Sequence, residues 1–131
     1  MHIVVSKDFR EFIAGVFSEK ENANELSSQI SKLEYMKILY VELEYPFYIT
    51  EDHSGFSFYS EREVNILIGG YIEDMGNHDE EWCYTNLYRV ESDLKPKIPG
   101  KDYMGLMPHH HIDNDTLSEI KDNGFDSLWI R

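Results

Sequence analysis

The spacing of apolar residues predicts one strand and two helices in the first third of the chain. The run HIVV at residues 2–5 is short and apolar, as is typical of a strand. Ser6 follows it and could cap a helix. Apolar residues then recur at i, i+3, i+4, i+7 and i+8, namely Phe9, Phe12, Ile13, Val16 and Phe17. After the polar stretch EKENAN, a second helix is predicted, with Leu26, Ile30 and Leu33 on one face.

In the middle of the chain the apolar period changes to two, which predicts strands. In ILYVELEY the apolar positions alternate with Glu42 and Glu44, and Pro46 ends this strand or marks a sheet edge. Glu42 and Glu44 share one face of the predicted strand. They could pair as acid and base, but such residues more often line the solvated side of an edge strand. The runs FYIT and FSFYS flank EDHSG, a turn that ends at Gly55, so a hairpin is predicted.

A third helix is predicted after the hairpin. Ser60 and Glu63 match a capping box, and apolar spacing over residues 64–72 favours a helix. Gly69 and Gly70 each destabilise a helix by about 1 kcal/mol. A strand through NILI is therefore the alternative. The run WCYTNLYRV then predicts another strand.

The last third begins with KPKIPGKDYMGLMPHHH, whose three prolines and two glycines predict a long loop, ordered or mobile. Thr116 and Glu119 form a second capping box that opens a short helix, which Gly124 would end. FDSLWI is predicted to close the chain as a strand. The whole pattern predicts a single α+β domain over residues 1–131, with a mainly antiparallel or mixed sheet packed against two to four helices. We expect the face of Phe9–Phe17 to pack on a sheet that contains YVELEY and WCYTNLY.

The negative charge of the chain is concentrated in one window. The 131 residues carry a net charge of −13, and the stretch from Glu42 to Asp93 holds 13 acids against only Arg62 and Arg89, a net of −11. Such a field repels phosphate backbones, so we expect no direct nucleic-acid binding. It attracts and steers a cationic partner. Acidity that serves only solubility is the alternative explanation of the overall charge, and it explains the segregation less well.

Several classes of protein are disfavoured by what the sequence lacks. It shows no signal peptide and no apolar run near the ~20 residues that span a bilayer, so no membrane role is expected. The single cysteine, Cys83, suits a reducing compartment, and we expect a cytoplasmic protein. No G-x-S-x-G, P-loop or dinucleotide-binding motif is present, so we expect a non-enzymatic protein without a cofactor.

The densest acidic stretch is IEDMGNHDEEW at residues 72–82, with five carboxylates and no Lys or Arg. A cation, a basic partner or solvation alone could explain it, and neither register of this loop offers the six or more oxygens that calcium needs. We predict a partner surface with aromatic anchors. The residues predicted to carry it are Glu51, Asp52, Glu73, Asp74, Asp79, Glu80, Glu81, Trp82, Tyr84 and Tyr88.

The triplet His109–His111 could bind a metal, since neutral imidazole is a common ligand. In an extended chain only His109 and His111 would share a side, and further ligands would have to come from Asp113 or Asp115. A loop of solvated histidines is preferred, and we expect no tight, stoichiometric metal.

Small, acidic, cytosolic α+β chains with one cysteine and no enzyme motif resemble bacterial immunity proteins, including those of contact-dependent growth inhibition systems. The resemblance is one of size, charge and class. It implies a protein that binds a cationic toxin domain, usually a nuclease, and blocks its active site. An antitoxin or nuclease-inhibiting role is therefore the preferred interpretation.

A different resemblance gives the alternative. ILYVELEYPFYI followed by LSEIKDNGFDSLWI is similar to two segments of ADP-ribosyltransferase-like domains. In that family a strand ending near a proline and a terminal GYDGI-type strand frame the nicotinamide pocket. The resemblance implies an enzyme of this type. The family has a late catalytic glutamate, and none follows GFDSLWI in this sequence, so an inactive remnant is the other possibility. A metal-binding protein acting through His109–His111 is the third interpretation.

Overall fold

The computed structural model describes residues 1–6, 12–30, 36–74, 85–99 and 101–130. Phe9, Leu33 and residues 79–84 lie outside these ranges. The helices and strands, in chain order, are β1 (His2–Ser6), β2 (Phe12–Phe17), α1 (Lys20–Ile30), β3 (Met36–Tyr40), β4 (Phe47–Asp52), β5 (Gly55–Tyr59), α2 (Glu61–Asp74), β6 (Thr85–Val90), β7 (His109–Ile112) and α3 (Asn114–Asn123). Short 3₁₀ helices span Met104–Leu106 and Phe125–Leu128.

The α+β class is confirmed, and the strands form two sheets. One has the order β2-β1-β3 and the other the order β5-β4-β6-β7. The pairs β1–β2, β1–β3, β4–β5 and β6–β7 are antiparallel. The chain divides into two compact units: unit 1 comprises Met1–Tyr45 and Val90–Met107, and unit 2 comprises Pro46–Arg89 and Pro108–Arg131. That residues 1–131 act as a single domain stays a prediction.

Unit 1 contains the sheet β2-β1-β3 and helix α1. Ala23, Leu26 and Ile30 of α1 are buried at helical spacing, and they form one apolar cluster with Val4 and Phe17 of the sheet. The strand predicted over HIVV at residues 2–5 is confirmed by β1. Helix α1 confirms the second predicted helix up to Ile30.

The helix predicted from Phe9 to Phe17 is wrong over its described part, because Phe12–Phe17 forms strand β2. Ser6, predicted as its cap, is instead a buried strand residue paired with Phe12. From Ile13 onward every residue of β2 is buried. A strand buried on both faces is continuously apolar and gives no alternation, so spacing alone cannot distinguish it from a buried helix. The register also shifts by one residue between Val4 and Val5, which blurs the period further.

The strand predicted over ILYVELEY ends earlier than expected. β3 stops at Tyr40, and residues 41–44 are irregular. The amide of Leu43 donates to the carbonyl of Val41 at 2.9 Å, so the chain bends out of the sheet there. The expectation that YVELEY and WCYTNLY share one sheet is therefore wrong over the described residues. Tyr40 ends a strand of the three-stranded sheet, whereas residues 85–90 lie in the four-stranded sheet. Glu42 and Glu44 are both exposed in the irregular segment.

Unit 2 contains the four-stranded sheet with α2 and α3. Its apolar cluster joins Tyr48 of β4 and Leu87 of β6 to buried residues of both helices, including Ile68 and Leu117. The predicted hairpin is confirmed as β4 and β5, with Asp52 paired to Gly55 at its end. Since Leu87 belongs to this cluster and neighbours on a strand alternate in direction, Tyr88 faces away from the helices.

Helix α2 settles the choice left open over residues 64–72. Ser60 Oγ accepts from the amide of Glu63 at 3.2 Å, and Glu63 Oε1 accepts from the amide of Ser60 at 3.0 Å, which confirms the capping box. Burial of Val64 and Ile68 stabilises the fold by roughly 1.5–3 kcal/mol each. That exceeds the cost of two helical glycines, about 1 kcal/mol each.

Two predictions for the last third are corrected and one is confirmed. Helix α3 is capped by Asp113, whose side chain accepts from the amide of Thr116 at 2.8 Å, and not by a box between Thr116 and Glu119. Gly124 ends it, as predicted, with φ +89°. The histidines lie in strand β7, not in a loop.

The strand predicted for FDSLWI is also wrong. Phe125–Leu128 is a 3₁₀ helix, in which the amide of Trp129 donates to the carbonyl of Asp126 at 3.0 Å. Phe125 and Leu128 are buried, and their spacing of three brings them to one side of such a helix.

Candidate partner-binding surface

The negative charge is segregated between the two units. By sequence, unit 2 holds 14 acids and four Lys or Arg, a net of −10, whereas unit 1 holds 11 acids and eight Lys or Arg, a net of −3. All ten residues predicted to carry partner binding belong to the stretch 46–89 of unit 2. Nine of the 13 acids of the sequence window lie in unit 2, and the other four, Glu42, Glu44, Glu91 and Asp93, lie in unit 1.

Glu51 is positioned by Tyr88. The Tyr88 hydroxyl donates to Glu51 Oε1 at 2.9 Å, and β4 and β6 are neighbours in the sheet. Tyr88 is only 6% exposed, so its ring offers a partner little surface. Its position fits a residue that orients the Glu51 carboxylate better than it fits the predicted aromatic anchor.

Asp52 accepts hydrogen bonds within the β4–β5 turn and faces the opposite side of the sheet from Glu51. Its Oδ1 accepts from the amide of Ser54 at 2.8 Å and from the Ser54 hydroxyl at 2.5 Å. These bonds hold the pKa of Asp52 below its usual range. Tyr48 belongs to the apolar cluster that contains the helix residues, and alternate residues of a strand share one side, so Asp52 lies on the helix side of the sheet. Adjacent strand residues face opposite sides, so Glu51 and Asp52 do not form one patch.

Glu73 and Asp74 are exposed at the C-terminal end of α2. The last carbonyls of a helix carry partial negative charge, so acids there are unfavourable by a few tenths of a kcal/mol. No basic residue lies in the last turn of α2. The described part of the acidic stretch is therefore placed where it adds to the negative potential of the helix end.

The other predicted residues fall outside the described ranges. They are Asp79, Glu80, Glu81, Trp82 and Tyr84. Their part in a partner surface stays a prediction from the sequence. Cys83 lies outside the described ranges as well.

The histidines are arranged by the pairing of β7 with β6, where His109, His110 and His111 lie opposite Tyr88, Leu87 and Asn86. The His109 ring lies 5.3 Å from that of Tyr88 between centroids. His111 Nδ1 lies 2.7 Å from Asn86 Oδ1. His109 and His111 are thus on the side of the sheet away from the helices.

His110 faces the opposite side. Its Nε2 lies 2.7 Å from the carbonyl oxygen of Leu128, and its ring packs edge-on against Trp129 at 4.9 Å. This alternation agrees with the expectation that only His109 and His111 could share an ion. Among the described residues, no three or more His, Cys, Asp or Glu side chains are grouped so as to hold a metal ion.

Sequence reasoning missed the partners of these side chains. Glu51 meets Tyr88 across 37 positions of chain, and His111 meets Asn86 across 25. Such pairs follow from strand order and register, for which a single sequence carries no local signal. Asp113 was recognisable, because Asp is a favoured cap and stands directly before the helix.

Comparison with known proteins adds no class to this geometry: the chain matches no family model, no curated protein sequence and no solved structure. Within the described residues, no helix has both the length and the apolar character needed to cross a membrane.

Proposed function

We propose that this chain is a non-enzymatic acidic binding protein that neutralises a cationic protein partner. The partner that fits best is a basic toxin or nuclease domain. The chain would block the active site of this domain and so act as an immunity protein or inhibitor. The proposal includes a cytoplasmic location. One observation carries it: a net charge of −10 is collected on one structural unit.

The electrostatic argument is one of rate and orientation. A compact body with charge of one sign on one unit repels itself and loses some stability. A basic partner would be steered toward that unit and would associate faster at low ionic strength. Nuclease domains are fitting partners, because they present basic surfaces to phosphate backbones.

Neither alternative is favoured by an observation. The resemblance to ADP-ribosyltransferase-like domains implies a strand at the end of the chain, but Phe125–Leu128 is a 3₁₀ helix. The metal-binding interpretation would need further ligands near His109 and His111, and the described residues group none there.

Affinity capture from the source organism, followed by an activity assay, tests the proposal. The expected result is a stoichiometric complex with a protein of basic isoelectric point, whose toxic or nuclease activity falls as the acidic chain is added. A captured partner that is neutral or acidic, or that stays fully active in the complex, would refute the proposal.

A further inference from the structure

A groove of about 580 Å³ lies in unit 1, at the end of the three-stranded sheet where β1 begins and β2 and β3 end. Ser18 follows β2 on one side, and Tyr40 ends β3 on the other. The irregular segment 42–45 forms the remaining wall. Four of its lining residues, Glu42 to Tyr45, lie in the part of ILYVELEY that was predicted as a strand and is irregular.

The main chain around the groove is fixed by hydrogen bonds. The amide of Val41 donates to the carbonyl of Met1, and the Met1 amino nitrogen donates to the carbonyl of Val41, both at 2.9 Å. These bonds extend the β1–β3 ladder by one pair. The turn from Val41 to Leu43 then carries Glu42 and Glu44 out of the sheet, where both are exposed.

Asp93 fixes the far wall of the groove. Its Oδ1 accepts from the Tyr45 hydroxyl at 2.5 Å and from the amide of Ser18 at 3.1 Å. One carboxylate oxygen therefore joins the end of β2 to the ring of Tyr45. A site held in place before binding loses less conformational freedom when a ligand enters.

The groove combines an exposed aromatic ring with two carboxylates. Tyr40 is 66% exposed, and its ring rests against His2 with the centroids 5.2 Å apart. Glu42 and Glu44 line the same groove. Of the described residues that line it, none is Lys or Arg, and the one cationic group among them, the Met1 ammonium, donates to the carbonyl of Val41.

An arginine side chain satisfies all of these groups together. Its guanidinium is flat, stacks on aromatic faces and donates paired hydrogen bonds to carboxylates. We propose that the groove binds an arginine side chain of a partner protein segment, with Tyr40 stacking on the guanidinium and Glu42 and Glu44 accepting its hydrogen bonds. The inference rests on the groove alone and stands or falls independently of the proposed function, whose charge lies on unit 2.

The test uses a short, end-blocked Gly/Ser peptide that carries one arginine, titrated into the isotopically labelled full chain and followed by NMR. Versions with lysine and with citrulline, the uncharged analogue of arginine, replace it in parallel. The expected chemical-shift changes centre on residues 40–45 and Ser18. The arginine peptide should bind more tightly than the lysine peptide, and the citrulline peptide should show no saturable binding.

Two variants assign the roles. Glu42→Gln with Glu44→Gln should weaken binding by about fivefold, the effect of two exposed ion pairs. Tyr40→Ala should weaken it by about two- to fivefold, whereas Tyr40→Phe keeps the ring and should bind as the wild type does. The matched control is Glu119→Gln with Asp122→Asn, which removes the same charge from exposed positions of α3 in unit 2 and should change binding by less than about twofold.

The proposal is overturned if the control double variant weakens binding as much as the groove variant, because the overall field would then account for it. Shift changes centred outside the groove would also overturn it. Equal binding of the lysine or citrulline peptide would reject a guanidinium site. Circular dichroism verifies that each variant is folded.

Discussion

The hydroxyl of Tyr88 donates to Glu51 Oε1 at 2.9 Å and thereby links the neighbouring strands β6 and β4. A carboxylate that would otherwise turn freely is held on the side of the sheet away from α2 and α3. The bond is partly buried, so its loss should be measurable in the stability of the protein.

Tyr88→Phe removes this hydrogen bond and keeps the aromatic ring. A hydrogen bond to a charged group is worth roughly 1.5–3 kcal/mol, and partial exposure reduces this, so we expect a loss of about 1–2 kcal/mol in the free energy of unfolding, measured with urea. Tyr40→Phe is the control, because the Tyr40 ring is 66% exposed and should cost less than about 0.5 kcal/mol. Equal effects of the two variants would contradict the role assigned to Tyr88.

Tyr45 should make the stability depend on alkaline pH. Burial and then the hydrogen bond to Asp93 and its charge raise the pKa of Tyr45 above its ordinary value. Its contribution is therefore fully present below the unfolded pKa of about 10, and it is lost as the pH rises further. The difference in unfolding free energy between wild type and Tyr45→Phe should be constant from pH 7 to 9 and should fall above pH 10. A difference that grows above pH 10 would have the wrong sign.

Asp113 should act as the cap of α3 and as an acid-sensitive group. Its hydrogen bonds from Thr116 hold its pKa below the usual range, so its contribution is present above the unfolded pKa of about 3.9 and is lost as the pH falls through the lower folded value. Asp113→Ala should cost about 1 kcal/mol at pH 7. Urea titrations at pH 7 and pH 2.5 should show this difference shrinking in acid, and an unchanged difference would count against it.

The two glycines of α2 should be replaceable with a gain in stability. A Cβ at Gly69 or Gly70 would meet nothing within 4 Å, so alanine should stabilise the helix by roughly 0.5–1 kcal/mol at each site. Gly15→Ala is the contrast, because its Cβ would lie 2.7 Å from both Leu26 Cδ2 and Phe17 Cε2. Thermal unfolding should show a higher melting temperature for the alanine variants of Gly69 and Gly70 and a lower one for Gly15→Ala. Destabilisation at Gly69 or Gly70 would be inconsistent with a helix there.

The sequence predicted those parts of the fold in which local rules decide. The hairpin at Gly55, the capping box of Ser60 with Glu63 and the end of α3 at Gly124 each follow from residues within a few positions. β2 was mistaken for a helix, because burial of both faces removes the alternation by which a strand is recognised.

The candidate surface was predictable to the extent that it depends on charge. Counting acids along the chain located a window from Glu42 to Asp93, of which residues 46–89 lie in unit 2. It could not show that Tyr88 is buried or that Asp52 bonds Ser54, because burial and register depend on distant pairing. The groove at Tyr40 was missed for the same reason, since YVELEY has the alternation of a strand although the chain bends at Val41.

The association rate with the captured partner tests the central claim most directly. It should be measured for the wild type, for Asp79→Lys with Glu80→Lys and Glu81→Lys, and for a control with Glu19, Glu21 and Glu25 changed to Lys, whose sites are exposed in unit 1. Circular dichroism verifies folding, and each rate is taken at roughly 10 mM and 150 mM salt, where the Debye length is about 30 and 8 Å. The account predicts that the unit 2 variant associates about tenfold more slowly at low salt, with a smaller difference at high salt and a weaker effect of the control. Equal rates for the wild type and the unit 2 variant at both concentrations would contradict it.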